Sequence, residues 1–359
     1  MNVFSPSEVA ALLSSEFCVR LTQSLLHFLW QGVAVGLAVW ILDRALRRAS
    51  SQWRYAVGVT ALLAMLACVP ATYFVLGNTQ QHIPSRATPA IPAADQSDTA
   101  VDGNTAALPV AANAVQLRPV EEVTVPDQPD AWTWRSLLSI PTWLAPYATL
   151  GYLLGVAIML ARLAVALWSG HQLRQSATPL ADQAILAMVA RQARRVGLKV
   201  APAIAWCQRA AVPLVVGIVR PMILLPTAIA SGLSPEQLEA LLAHELAHLK
   251  RLDLVVNLVQ RLAESLLFFH PAVWYVSRRI SIERENCCDD CVLRAGWGRL
   301  EYADALVRMA EVCAAVRGIT GLEGAALLAA SGDHPSQFKR RVLRLLKADD
   351  HLRVGVSRG

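Results

Sequence analysis

The chain has 359 residues, of which 55% are hydrophobic and only 17% are charged, whereas an average soluble domain carries about 25% charged residues. This composition excludes an ordinary soluble domain and indicates a membrane protein. The net charge of +6 suits either nucleic acid or an anionic membrane face, and the long apolar segments favour a lipid bilayer over direct contact with nucleic acid.

Two uncharged segments near the N-terminus, 21–42 and 55–76, predict transmembrane helices, because about 20 apolar residues cross ~30 Å of hydrocarbon. No Ala-x-Ala cleavage site follows the first segment, which favours a retained span over a signal peptide. The loop between the segments carries four arginines, and the positive-inside rule places such a loop in the cytoplasm. The sequence therefore predicts that residues 1–76 form an N-terminal region with two transmembrane helices. Its N-terminus is expected on the extracytoplasmic side of the membrane.

Residues 77–132 differ from both neighbouring regions, since they are rich in Pro and Ala and show no sustained period. We expect a flexible extracytoplasmic loop that acts as a spacer, with a small element that contacts a ligand or a partner as the alternative. A third transmembrane helix is predicted at 140–161, within the segment 133–168, because Trp and Tyr flank the apolar run. The basic residues that follow return the chain to the cytoplasm.

Residues 169–345 predict a cytoplasmic α+β domain, and residues 346–359 form a basic C-terminal tail. Short β-branched runs bounded by proline indicate strands within 200–225. Ser234 begins a capping box at the start of a helix expected at 235–250. The predicted fold class is a mainly α membrane protein with three transmembrane helices and a cytoplasmic α+β domain that contains a small sheet.

The helix expected at 235–250 contains the sequence HELAH. His244 and His248 are four residues apart and lie on one face of a helix, where two imidazoles can share a tetrahedral Zn²⁺. Glu245 follows the first histidine, where its carboxylate can take a proton from a water held by the metal. We expect one zinc ion per chain and Glu245 as the catalytic base. Two solvated surface histidines are the alternative, but the apolar neighbours indicate a buried helix.

A hydrolytic zinc site needs a third protein ligand and one open position. The segment SIERENCCDD supplies three candidate carboxylates, Glu283, Glu285 and Asp289, and spacing alone leaves the choice open. Three cysteines on the same segment offer a thiolate metal or redox centre as a competing interpretation: Cys287, Cys288 and Cys291. Because no second CxxC pair accompanies them, we interpret these cysteines as small buried hydrophobic residues.

Three stretches, LLAHELAHLKRLD, FHPAVWYV and ERENCCDDCVL, closely resemble the BlaR/MecR-type family of integral-membrane zinc peptidases, the antirepressors of β-lactam sensing systems. The resemblance covers the three spans and the region after about residue 170, and it implies a gluzincin-like peptidase domain. It implies Glu285 as the third zinc ligand. It also implies that Asp289 holds the second ring nitrogen of a ligand histidine. Asp253 could do similar work or form a structural ion pair.

Related integral-membrane zinc peptidases carry a late His-Pro motif that is followed by an arginine. Here His334 and Pro335 precede Arg341. The resemblance implies that His334 is a second catalytic residue, which lies near the oxyanion of the tetrahedral intermediate. A histidine on a surface loop is the alternative.

The expected function is that of a zinc endopeptidase in the bacterial inner membrane, which takes part in signal transduction. Its expected substrate is a cytoplasmic protein, either a transcriptional repressor or the chain itself. A signalling scaffold with a structural zinc and a membrane-protein quality-control protease are the alternatives, and Glu245 speaks against the scaffold because a structural zinc needs no base. We expect the substrate to add as a strand along either Val212–Gly217 or Pro221–Leu225.

Receptor members of the resembled family carry a penicillin-binding sensor domain outside the cell, and we expect this chain to lack it. A signal would then arrive through the 77–132 loop, through the spans or from another protein. The expected partners are therefore the substrate, the bilayer, and either a separate sensor protein or a second copy of the chain.

The apolar run 254–276, which follows the HELAH helix, raises the question of a fourth span. Polar residues recur in this run at helical spacing: Asn257, Gln260, Arg261, Glu264 and Ser265. Charges at the centre of a lone span are costly, and a span here would carry Glu285 to the opposite face of the membrane from the two histidines. We therefore predict an amphipathic helix that packs beneath the HELAH helix, touches the membrane surface or the spans, and turns at His270 and Pro271.

Overall fold

The structure, a computed structural model, describes residues 15–80, 143–210, 212–320 and 335–347. The helices in these ranges are α1 Ser15–Ala45, α2 Ser51–Gln80, α3 Ala145–Gln175, α4 Gln183–Val196, α5 Thr227–Gly232, α6 Pro235–Lys250, α7 Asp253–Leu266, α8 Pro271–Arg294, α9 Arg299–Thr320 and α10 Pro335–Lys347. The strands are β1 Thr178–Pro179, β2 Ala203–Trp206, β3 Leu214–Val216 and β4 Met222–Leu225. The protein is thus mainly helical, with one small mixed sheet.

Helices α1, α2 and α3 are long and apolar enough to cross a membrane. Helix α2 continues to Gln80, so the first residues of the predicted 77–132 loop are helical. Helix α3 continues past Arg162 to Gln175, beyond the predicted end of the third span. No proline interrupts either extension, and the helix can therefore continue. The rest of the loop, most of the 346–359 tail and His334 lie outside the described residues.

The sheet has the strand order β1-β2-β4-β3. Strands β2 and β4 run parallel, and the two outer strands pair antiparallel with their neighbours. At the β3 side, Leu214 lies opposite Leu224 and Val216 opposite Met222. Because β4 is paired on both sides, the predicted substrate edge at Pro221–Leu225 is enclosed. Within the described residues, β3 is the strand edge that borders the cleft beside α6.

Helix α6 is fixed at its start and along two faces. Its capping box forms as the sequence predicts, since the Gln237 amide N–H donates to Ser234 Oγ at 3.2 Å and the Ser234 amide N–H donates to Gln237 Oε1 at 2.9 Å. One face packs in a core with α4 and the sheet, and the other packs against α9. At its end, Leu252 adopts a left-handed conformation with φ of 57°. This reversal starts α7 at Asp253.

Helices α7 and α8 form a hairpin that lies among the three long helices. Its turn falls at His270 and Pro271, as the sequence predicts. The His270 ring Nε2 lies 3.0 Å from the carbonyl oxygen of Leu29 in the middle of α1. Gly32 permits this approach, because a Cβ at that position would lie 2.6 Å from Cε1 of His270. The hairpin therefore contacts the spans themselves, which was one of the two placements predicted from the sequence.

The polar stripe of α7 is paired partly with α8 and partly within α7. Gln260 Nε2 donates to the carbonyl oxygen of Ser277 at 3.0 Å and to Oγ of Ser281 at 3.1 Å, and Arg261 forms an ion pair with Glu264 at 2.8 Å. The opposite face of the same segment exposes apolar side chains: Leu252, Val255, Leu262 and Leu266. Among the described residues only α1, α2 and α3 qualify as candidate spans, so the hairpin enters the bundle without a fourth span.

Candidate metal centre

The two histidines of the HELAH sequence face Glu285 across the contact between α6 and α8. His244 and His248 lie one turn apart, with ring centroids separated by 4.8 Å. Nε2 of His244 lies 3.4 Å from Oε2 of Glu285, and Nε2 of His248 lies 3.8 Å from Oε1 of the same carboxylate. Of the three candidate carboxylates, Glu285 is thus the one that faces both rings.

The second ring nitrogen of His248 is engaged by Asp253. Nδ1 of His248 lies 2.9 Å from Oδ2 of Asp253, which α7 presents directly after the left-handed turn. Burial would raise the pKa of Asp253, but the hydrogen bond and charge of His248 lower it below its ordinary value. An ionised Asp253 accepts from the Nδ1–H, which leaves the Nε2 lone pair directed at the centre. Asp253 also lies 3.4 Å from Nε of Arg251, so it makes both of the contacts that the sequence left open.

The second ring nitrogen of His244 is engaged by Tyr302, with Asp289 behind it. Nδ1 of His244 lies 3.0 Å from the Tyr302 hydroxyl, and that hydroxyl donates to Oδ1 of Asp289 at 2.7 Å. Asp289 itself lies 3.5 Å from the imidazole Nδ1. Burial and the charge of Asp289 raise the pKa of Tyr302 well above its ordinary value. The hydroxyl therefore stays protonated, donates to Asp289 and accepts from His244.

The separations between the two histidine nitrogens and the Glu285 carboxylate suit a divalent metal ion. Tetrahedral ligands bound at about 2.0–2.1 Å lie about 3.3 Å from one another, and the observed 3.4 Å and 3.8 Å separations between the histidine nitrogens and the Glu285 oxygens are close to that value. Both nitrogens are unprotonated when the opposite Nδ1 atoms donate to Tyr302 and Asp253. His244, His248 and Glu285 therefore form a group that could hold a metal ion.

Glu245 lies in the same cleft as the three donor residues. The cleft has a volume of about 320 Å³, and Leu214 and Val215 of the β3 edge form one of its walls. Burial raises the pKa of the Glu245 carboxyl. A carboxylate with a raised pKa is a stronger base near neutral pH. The cleft thus combines a candidate metal position, a buried carboxylate and a strand edge.

The family model described as "BlaR1 peptidase M56" matches residues 23–343 of the chain. The chain belongs to this family. It is 33% identical over 102 residues to the regulatory protein BlaR1 of Bacillus licheniformis, a match that covers 28% of this chain and 17% of that protein. It is 30% identical over 82 residues to the methicillin resistance mecR1 protein of Staphylococcus aureus, covering 23% of this chain and 14% of that protein. The matched segments thus span less than a fifth of these curated relatives.

In this M56 family member, α10 brings Arg341 into the candidate metal centre. Its guanidinium forms ion pairs with Glu285 at 3.1 Å and with Asp289 at 2.8 Å, and Nη2 lies 3.2 Å from Nε2 of His244. Burial would raise the pKa of the Glu285 carboxyl, but the charges of His248 and Arg341 hold it well below its ordinary value. Arg341 thus balances two carboxylates at the histidine that Tyr302 supports.

The remaining residues singled out by the sequence lie beside the donors or away from them. Glu283 points towards the spans, where Arg54 pairs with it at 3.1 Å. Cys288 Sγ lies 3.3 Å from Nδ1 of His248 and 3.3 Å from Oδ2 of Asp253, so these three form a second group that could hold a metal ion. Burial raises the pKa of the Cys288 thiol well above its ordinary value, which disfavours the thiolate that metal binding requires.

Sequence reasoning assigned no role to Tyr302 or Arg341 at the metal centre. Arg341 carried a signal, because it lies on the buried face of the amphipathic α10 together with Gln337 and Leu345. An arginine on an apolar helix face normally has a buried anionic partner. Tyr302 carried no local signal, since a fully buried tyrosine is common in helical cores and its partners are distant in sequence.

Proposed function

We propose that this M56 family member is a zinc endopeptidase of the HExxH gluzincin type, with zinc held by His244, His248 and Glu285. The convergence of two imidazole Nε2 atoms and a carboxylate beside Glu245 carries this proposal. Imidazole and carboxylate are ligands that zinc accepts, and three protein ligands leave the fourth position open, as in hydrolytic sites.

Zinc, when bound, would supply a Lewis acid that polarises a carbonyl and lowers the pKa of water. Glu245 would accept the proton from the attacking water and return it to the leaving amine. Asp253 and Tyr302 would keep the histidine rings oriented. Arg341 would prevent the charges of Glu285 and Asp289 from repelling each other.

The substrate would bind as an extended chain along β3, the strand that forms one wall of the cleft. Of the two segments considered from the sequence, Val212–Gly217 contains this accessible edge, and a peptide can add to it through main-chain hydrogen bonds. A larger cavity of about 830 Å³ adjoins the catalytic cleft and shares Val215, Leu254 and Asn257 with it. This cavity would accept side chains on one side of the scissile bond.

The cellular part of the proposal places the chain in signalling at the bacterial inner membrane. The peptidase domain at 169–345 and the C-terminus would be cytoplasmic, and the N-terminus and the 77–132 loop would lie outside. The substrate would be a cytoplasmic protein of the repressor type or the chain itself. The relatives named as a regulatory protein and a methicillin resistance protein support a regulatory role. A C-terminal tag that can be labelled only from the periplasm would contradict this topology.

His334 belongs to the proposal as a second catalytic residue, positioned near the oxyanion. It directly precedes α10 in the chain, and α10 carries Arg341. The His334→Ala variant should keep its zinc and lose most of its activity. Near-normal cleavage by that variant would remove His334 from the mechanism.

Substitution of Glu245 by glutamine tests the proposed activity against a structural role for zinc. Purified wild-type and Glu245→Gln proteins should contain one zinc per chain by mass spectrometry, and only the wild type should cleave a repressor-like substrate or itself. Glu236→Gln, at an exposed position on the same helix, is the matched control and should retain activity. Full signalling output from Glu245→Gln in cells would favour the scaffold instead.

A further inference from the structure

The first turn of the second span lies directly against the helices that carry the candidate metal centre. Ser51 Oγ donates to Oδ2 of Asp290 at 2.5 Å, and Arg54 forms an ion pair with Glu283 at 3.1 Å. Both acceptors lie on α8, within five residues of Glu285 in the sequence. The start of α2 is therefore fixed to the segment that supplies the third donor residue.

Tyr55, on the same turn of α2, reaches the support of His248. Its hydroxyl donates to Oδ1 of Asp253 at 3.2 Å, while Oδ2 of Asp253 lies 2.9 Å from Nδ1 of His248. The two oxygens of one carboxylate thus join a membrane span to a candidate metal ligand. The Arg251 guanidinium lies 4.7 Å from the centroid of the Tyr55 ring, which fixes the ring and leaves the hydroxyl directed at Asp253.

The contact between the span and α8 is also braced by charges. Arg279 pairs with Glu283 at 2.9 Å and with Asp43 at the end of α1 at 2.5 Å. Glu283 is buried, and Arg54 of α2 is one of its two cationic partners, so a shift of α2 away from α8 would remove that partner, which is costly. The charge network therefore makes the spans and α8 move together, and Tyr55 would move with them.

We propose that Tyr55 is a positioning residue through which the second membrane span sets the orientation of His248. Asp253 holds the imidazole in the tautomer and direction that the metal needs, and Tyr55 fixes the rotation of the Asp253 carboxylate. A displacement of α2, together with α8, relative to α7 would release Oδ1 of Asp253, loosen His248 and weaken the metal site. A signal in the membrane would thereby reach the catalytic centre without a separate cytoplasmic domain. This inference rests on the proposed zinc site.

The test uses two tyrosine-to-phenylalanine substitutions in the full-length protein. Tyr55 and Tyr152 both lie in spans, and both hydroxyls donate to the start or end of α7, at Asp253 and at the carbonyl oxygen of Leu266, respectively. Removal of a group that orients a metal ligand changes metal affinity by about 10–100-fold, and Tyr55 acts one residue further away. Tyr55→Phe should therefore speed zinc release to a chelator by about five- to tenfold, whereas Tyr152→Phe should leave the rate unchanged.

The double variant distinguishes positioning from a general loss of packing. If Tyr55 acts through Asp253, then Tyr55→Phe should cause no further increase in zinc release when it is added to Asp253→Asn, because both changes remove one interaction. Thermal unfolding of Tyr55→Phe should match that of Tyr152→Phe. Equal zinc release from the wild type and Tyr55→Phe, or fully additive effects in the double variant, would overturn the role of Tyr55 and leave the proposed zinc site intact. A wild type that binds no zinc would overturn the proposed site as well.

Discussion

The two histidines of the candidate metal centre are supported by different parts of the molecule. His248 is held by Asp253, which is in turn bonded to Tyr55 of the second span. His244 is held by Tyr302 of α9, with Asp289 and Arg341 around it. The first support comes from a candidate membrane span and the second from the C-terminal helices, so the centre joins two distant parts of the chain.

The two supports also differ in how their buried carboxylates are paired. Asp289 is fully buried, and Arg341 is its close cationic partner. Asp253 has Arg251 at 3.4 Å and the neutral Tyr55 hydroxyl at 3.2 Å. Because burial makes an unpaired charge costly, the ion pair on the His244 side should tolerate the loss of Arg341 poorly. The His248 side has weaker individual contacts and is the side that a movement of the spans can reach.

The largest effect is expected from Arg341→Met. This change keeps an apolar stem but leaves Asp289 and Glu285 without their closest cation, and breaking a buried ion pair in this way costs about 3–5 kcal/mol. The variant should unfold at a clearly lower temperature than the wild type and should bind less zinc. Scanning fluorimetry and metal analysis on purified protein measure the two effects. Arg340→Met, at an exposed neighbouring position, is the control. Equal stability of the two variants would contradict the stabilising role of the Arg341 ion pairs on the His244 side.

A smaller effect is expected from Asp253→Asn on the other side. The amide keeps the size of the side chain but removes the charge that orients His248, and loss of such a partner weakens metal binding by about 10–100-fold. Chelator competition should show this loss, and thermal stability without metal should change little. The exposed Asp304→Asn on α9 serves as the control. Unaltered zinc affinity in Asp253→Asn would show that His248 needs no carboxylate.

The smallest effect is expected from Tyr302→Phe. Asp289 lies only 3.5 Å from Nδ1 of His244, so a small shift lets the carboxylate accept directly once the hydroxyl is gone. We expect zinc affinity to fall by less than about tenfold in the same competition assay. Tyr275→Phe on α8 provides a control for a tyrosine without a role at the centre. A loss as large as that of Asp253→Asn would mean that the hydroxyl itself is indispensable.

Much of the part of the site that lies on α6 could be predicted, because its features are determined by residues that are close together in the sequence. The capping box at Ser234, the one-turn spacing of His244 and His248, and the turn at His270 each depend on residues that are neighbours in sequence. The resemblance to the peptidase family supplied Glu285, which spacing alone left open among three carboxylates. The structure then distinguished these carboxylates by direction, since Glu283 faces the spans and Glu285 faces the histidines.

The contacts that could not be predicted join residues far apart in the chain. Tyr55 and Asp253 are 198 positions apart, and Arg341 and Asp289 are 52 apart. Such pairs depend on how the spans and the C-terminal helices pack, which local periodicity does not encode. The depth of the α7–α8 hairpin is a similar case. Its polar stripe indicated an amphipathic helix, but only the pairing of Gln260 with α8 shows why that stripe can lie between spans.

The central claim is that His244, His248 and Glu285 hold the metal, and X-ray absorption at the zinc edge tests it most directly. The zinc-loaded wild type should show only nitrogen and oxygen neighbours at about 2.0–2.1 Å, with two imidazole signatures. Glu285→Ala should lose one oxygen neighbour. A sulfur neighbour at about 2.3 Å would instead assign the metal to the group of His248, Asp253 and Cys288, and would contradict the proposed catalytic centre.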